Sequence, residues 1–153
     1  MKSSTTMQKF ASGWEFSELH DTTLFFQSVA LILLPNTILV LEENSMAQDV
    51  RAFVADKAVS PQGQIRPGTW WPLSRMHWLI ATPEILEGLA RLSTHCAEPE
   101  VCDHLYAVHD GRLTLAWYDA FSDPLLVSAE VPTDHIVAFG AAVRVPPVSW
   151  HVD

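Results

Sequence analysis

Residues 104–117, HLYAVHDGRLTLAW, set Asp110-Gly111 between two alternating runs. This is the strongest short-range signal for a β-hairpin closed by a two-residue type I′ turn, whose two positions need positive φ. Such a turn fixes the register. His109 falls opposite Arg112, Val108 opposite Leu113, Tyr106 opposite Leu115 and His104 opposite Trp117. One face then reads His104, Tyr106, Val108, Leu113, Leu115 and Trp117. The other reads Leu105, Ala107, His109, Arg112, Thr114 and Ala116.

Downstream, Ser122-Asp123-Pro124 turns the chain again, and LLVSAEV (125–131) alternates as a third antiparallel strand. Residues 104–131 thus read as a three-stranded meander with its aromatic side turned inward. Residues 133–143 fit either a helix or a strand. Pro146 and Pro147 end that element, and 146–153 read as a tail.

Upstream, TPEILEGLARLST supplies Thr82 as N-cap, Pro83 at the first helical position and Glu84 in the first turn, so a helix is expected over 83–95. Met76, Trp78 and Ile80 alternate with polar neighbours and give a strand over 74–80. Residues 59–68 carry two prolines and two glycines and read as a loop. SMAQDVRAFVADKA has apolar residues at helical spacing, with Ser45 and Gln48 placed as a capping box, and predicts a helix over 46–58. TILVLEE (37–43) is aliphatic and β-branched, a central strand. Asp21 can cap the apolar helix that follows it, which Pro35-Asn36 ends. WEFSEL (14–19) reads as a first strand. The sum is α+β: a mixed or mainly antiparallel sheet, a C-terminal meander, and three to four helices packed on it. Residues 1–12 read as a loose arm and 13–145 as one domain.

The 153 residues are 48% hydrophobic and 18% charged. A domain of that size buries roughly 70% of its unfolded surface and needs no disulfide or metal to hold a core. Nine basic residues stand against 18 acidic, a net charge of −9. Nucleic-acid affinity comes from Lys and Arg on phosphates, so neither nucleic acid nor an anionic membrane is an expected partner. The field of such a chain suits a basic protein. The longest apolar stretch, residues 24–34, is too short to span a bilayer, which takes about 20 residues. The first 14 residues hold no apolar run of the kind a secretory signal needs. A soluble, cytoplasmic protein with reduced thiols is expected.

One constellation could bind metal: His95, Cys96, Cys102 and His104, spaced H-C-x5-C-x-H. Two thiolates and two imidazoles suit tetrahedral Zn²⁺, but structural sites use closer cysteine pairs with a distant second pair. Asp119 is a further candidate ligand, on the strand face predicted for His104. Asp103, Asp123 and His135 could join it at one end of the meander as acid–base groups. Ordinary roles compete in each case: a buried thiol at a helix end, His104 stacked on Trp117, and aspartates satisfying turns. No cofactor is therefore expected, with zinc the ion such a set would take. Trp70 and Trp71 are adjacent, so an extended backbone turns them to opposite sides. With Arg66 they mark loop 59–72 as a contact region.

No G-x-S-x-G, G-x-G-x-x-G, P-loop or H-E-x-x-H pattern is present. The expected function is a non-enzymatic acidic binding protein, such as an inhibitor or immunity-type partner of a basic protein. Two alternatives stand beside it: a small metal-dependent hydrolase using the His/Cys/Asp cluster, and an oligomeric module pairing through the meander edge.

Overall fold

The computed structural model describes residues 10–63, 65 and 75–151. In chain order the elements are β1 (Ser12–Phe16), α1 (Thr22–Ser28) running into a 3₁₀ turn (Val29–Ile32), β2 (Ile38–Glu43), α2 (Gln48–Lys57), β3 (Arg75–Ile80), α3 (Pro83–Ser93), the single-turn α4 (Glu98–Val101), β4 (His104–His109), β5 (Arg112–Trp117), β6 (Leu125–Ser128), α5 (Thr133–Val143) and β7 (Val148–His151). The strands form one seven-stranded sheet in the order β3-β2-β4-β5-β6-β1-β7. Every neighbouring pair is antiparallel. The fold is α+β.

Local chemistry sets several of these boundaries. Leu24 N–H donates to the Asp21 carboxylate at 2.9 Å, and Ile85 N–H to the Thr82 hydroxyl at 3.2 Å. Both side chains satisfy first-turn donors that a helix leaves open. Asp110 (φ 51°) and Gly111 (φ 75°) are both left-handed, as a type I′ turn demands. Residues 133–143 are helical. The helix ends on Arg144 in the left-handed region, with Val145 N–H returned to Gly140 O at 3.0 Å.

The meander β4-β5-β6 is present, but its side-chain facing differs from the predicted one. The turn-proximal pairs Val108–Leu113 and His109–Arg112 are as expected. Beyond them the register shifts, so Ala107 pairs with Leu115, Tyr106 with Ala116 and Leu105 with Trp117. Thr114 is the extra residue of a β-bulge, and its hydroxyl donates to Ala107 O at 3.4 Å. Leu115 and Trp117 therefore join Leu105 and Ala107 on the helix-covered face, while Leu113 stays with Tyr106 and Val108 on the other.

Five further expectations are corrected. The strand over 125–131 stops at Ser128, and the one over 14–19 lies at Ser12–Phe16, beginning inside the stretch read as an arm. Ser45 does not cap α2: Ala47 is its N-cap, held by its own N–H to Glu100 O at 2.7 Å. The stretch 146–153 contains β7, which pairs with β1. The meander has no free edge, because β2 covers β4 and β1 covers β6; the sheet edges are β3 and β7.

Both sheet faces are buried. The helix side holds the main core, centred on Trp117, with Phe25 at 4.8 Å and Phe121 at 4.3 Å between ring centroids, and Phe16 edge-on to Phe139 at 5.0 Å. Each large apolar side chain buried there contributes roughly 1.5–3 kcal/mol. The second face buries Val40, Trp78, Tyr106, Val108 and Ala116, against which Phe10, Val59 and Ile65 pack, and among the described residues no helical one takes part in that cluster.

Candidate functional site: the acidic end of the sheet

Antiparallel pairing collects the ends of β1, β2 and β5 with the starts of β3, β4 and β6. Phe16 pairs with Leu125, Leu105 with Trp117, Glu42 with His104 and Glu43 with Arg75. The loops leaving that end are tied together. His20 Nδ1–H donates to Phe121 O at 2.9 Å. Asp103 N–H donates to Glu42 O, and Ala120 N–H to Asp103 O, both at 2.8 Å. Carboxylates crowd these loops: Glu18 and Asp21 after β1, Asp49 in the first turn of α2, Glu100 on α4, and Asp119 and Asp123 after β5. All are exposed except Glu100, which is half-buried.

Two more acids close β2. Glu42 is 0% and Glu43 4% exposed. Consecutive strand residues face opposite ways. Glu42 lies on the second face, where Tyr106 donates its hydroxyl to Oε1 at 2.8 Å. Glu43 lies on the helix side, where Arg51 donates through Nε and a terminal nitrogen at 3.0–3.2 Å and His77 Nε2 sits 3.2 Å from Oε1. Burial pushes the Glu43 carboxyl up, but the bonds from Arg51 and His77 outweigh it and hold the group below the usual glutamate value.

Asp103 goes the other way. Burial raises its carboxyl; Asn44 N–H and His104 oppose this, Glu42 and Asp119 add to it, and the net shift is upward. Its Oδ2 is buried with no hydrogen-bond partner among the described residues. Burial and the charge of Glu42 raise the Tyr118 phenol.

The predicted metal candidates are divided. Cys102 is wholly buried in the helix-side core, and its thiol is pushed far up by burial, with Asp103 and Glu42 adding to it. Cys96 is half-buried at the end of α3, its Sγ 3.4 Å from Leu92 O, and is raised by burial, Asp49 and Glu100. Both thiols are free. His95 is exposed. His104 lies on the opposite face from Cys102, edge-on to Tyr118 at 6.2 Å rather than stacked on Trp117. Its Nδ1 accepts Asp119 N–H at 2.8 Å. Asp119 reaches this place through its backbone, with φ 48°. Asp123 joins the same turn, its N–H donated to Asp119 O, whereas His135 is exposed on the first turn of α5. Among the described residues, no group of three or more His, Cys, Asp or Glu is disposed to hold a metal ion. Arg66, Trp70 and Trp71 lie outside the described residues.

Sequence reading missed Glu42 and Glu43 as a pair. Their signal was present: two consecutive acids ending an aliphatic central strand place one carboxylate on each sheet face. No protein-family model matches the chain, and neither curated proteins nor solved structures show a match. No described helix is long and apolar enough to cross a membrane.

Proposed function

We propose that the protein is a non-enzymatic binding protein that meets a basic protein with the acidic end of its sheet. The observation that carries this reading is the convergence of Glu18, Asp21, Asp49, Asp119 and Asp123, all exposed, on loops joined by backbone and side-chain hydrogen bonds. Carboxylates held on one rigid rim produce a directed field, which steers encounter with a cationic surface more than it adds raw affinity. Flanking Tyr118 and His104 supply aromatic contact area of the kind that anchors interfaces.

The test is affinity capture from the cells that make the protein, at low ionic strength, with two charge-reversed variants. Asp119→Lys with Asp123→Lys alters the proposed rim. Asp110→Lys with Glu130→Lys alters the other end of the sheet by the same charge. Capture of a basic protein by the wild type and the second variant, but not the first, is expected. No capture, or equal capture by both variants, contradicts the proposal.

A further inference from the structure

A second feature at the same end has the opposite sign. Glu43 and Arg75 are cross-strand partners, so their side chains share the helix face, and Arg51 reaches the same place from α2. With Asn44 they line an open cleft of about 270 Å³. The Glu43 carboxylate takes three contacts from Arg51 and one from His77. An ionised carboxylate offers about four lone-pair sites, so these are taken. Arg51 uses Nε and one terminal nitrogen on Glu43, and that same nitrogen reaches Met46 O at 3.3 Å. Its other terminal nitrogen makes no hydrogen bond among the described residues. Arg75 is exposed and makes no ion pair with the described residues. Among the described residues, two guanidinium groups thus share one cleft with a single carboxylate, in a chain that holds nine basic residues against 18 acidic.

We propose that this cleft is an oxyanion site, taking a carboxylate or phosphate between Arg75 and the outer edge of Arg51, beside Asn44. Guanidinium forks match the paired oxygens of both groups. Glu43 positions the site: it fixes the Arg51 fork on one side and turns the free edge outward. The site stands independently of the basic-partner reading, since it needs only the isolated protein and a small anion.

The test is a titration of the intact protein with inorganic phosphate and, separately, succinate at constant ionic strength. The Nε–H signals of Arg75 and Arg51 and the Asn44 side-chain amide are followed by NMR. Saturable shifts with at least one anion are expected, with a dissociation constant on the order of 1 mM. Response to phosphate alone identifies a phosphoryl ligand, to succinate alone a carboxylate, and to both a site reading the shared geometry. Arg75→Ala should weaken binding about tenfold, the worth of one charged hydrogen-bonding group. Arg75→Lys should fall between, and serves if the alanine variant does not fold. Arg112→Ala, at the far end of the sheet, should bind as the wild type does. No saturable shift with either anion up to about 20 mM, well above that constant, overturns the proposal. So does undiminished binding by both Arg75 variants.

Discussion

The hydroxyl of Tyr106 donates to Oε1 of Glu42 at 2.8 Å, between adjacent strands of the sheet, with both residues wholly buried. A carboxyl on a central strand is tolerated because a donor is built diagonally across from it on the neighbouring strand. Tyr106→Phe keeps the ring and removes that donor. The expected cost is about 1–3 kcal/mol, read as a lower urea midpoint with an unchanged slope. Equal midpoints would show that the bond carries no stability.

Glu43 and Asp103 should bend the pH–stability profile in opposite senses. The folded value of Glu43 is lowered, so its contribution is present above the unfolded glutamate value and is lost as pH falls through the lowered one. The folded value of Asp103 is raised, so stability declines as pH rises from the unfolded aspartate value through the raised one. Glu43→Gln should therefore flatten the acid limb of the profile. Asp103→Asn should be more stable than the wild type at neutral pH, with the advantage vanishing in acid. Denaturant midpoints across pH 3–8 check both signs, and a destabilised Asp103→Asn at neutral pH contradicts the second.

The two thiols should separate kinetically. Thiolate is the reactive form, and burial holds both groups protonated. Half-buried Cys96 should react slowly with a thiol reagent in the native protein, whereas Cys102, enclosed in the helix-side core, should react only on unfolding. Equal native labelling of both residues would contradict the placement of Cys102.

Gly111 occupies the second left-handed position of the hairpin turn. Gly111→Ala should cost about 1–2 kcal/mol, the penalty of that region for a residue with a Cβ. Thermal melting checks this, and an unaltered midpoint would argue against the type I′ geometry.

Asp110-Gly111, Asp21 and Thr82-Pro83 were legible because each acts through its own neighbours: a turn φ, or a side chain capping the adjacent helix. Thr114 was not. A bulge obeys no residue rule, and this one moves Leu115 and Trp117 to the other side of the sheet, which a perfect two-residue period cannot foresee. Ser45 lost to Ala47 because Glu100, more than fifty residues on, receives the Ala47 N–H. In β7, Val148 and Trp150 alternate with Ser149 and His151, but four residues after two prolines are too few to stand out from a tail. Of the acidic rim, strand and turn signals placed Asp119 and Asp123 at one end of the meander, while Glu18, Asp21 and Asp49 were visible as members of it only in the net charge. Strand order, which brings loops 17–21 and 118–124 together, is a long-range property that no local pattern encodes.

Amide hydrogen exchange on the complex with the captured basic protein tests the acidic-rim reading most directly. Slowed exchange is predicted for residues 17–21, 98–103 and 118–124, with residues 110–112 and 129–135 unchanged. Protection confined to the far end of the sheet or to the outer surface of the helices, with the rim exchanging as in the free protein, would contradict it.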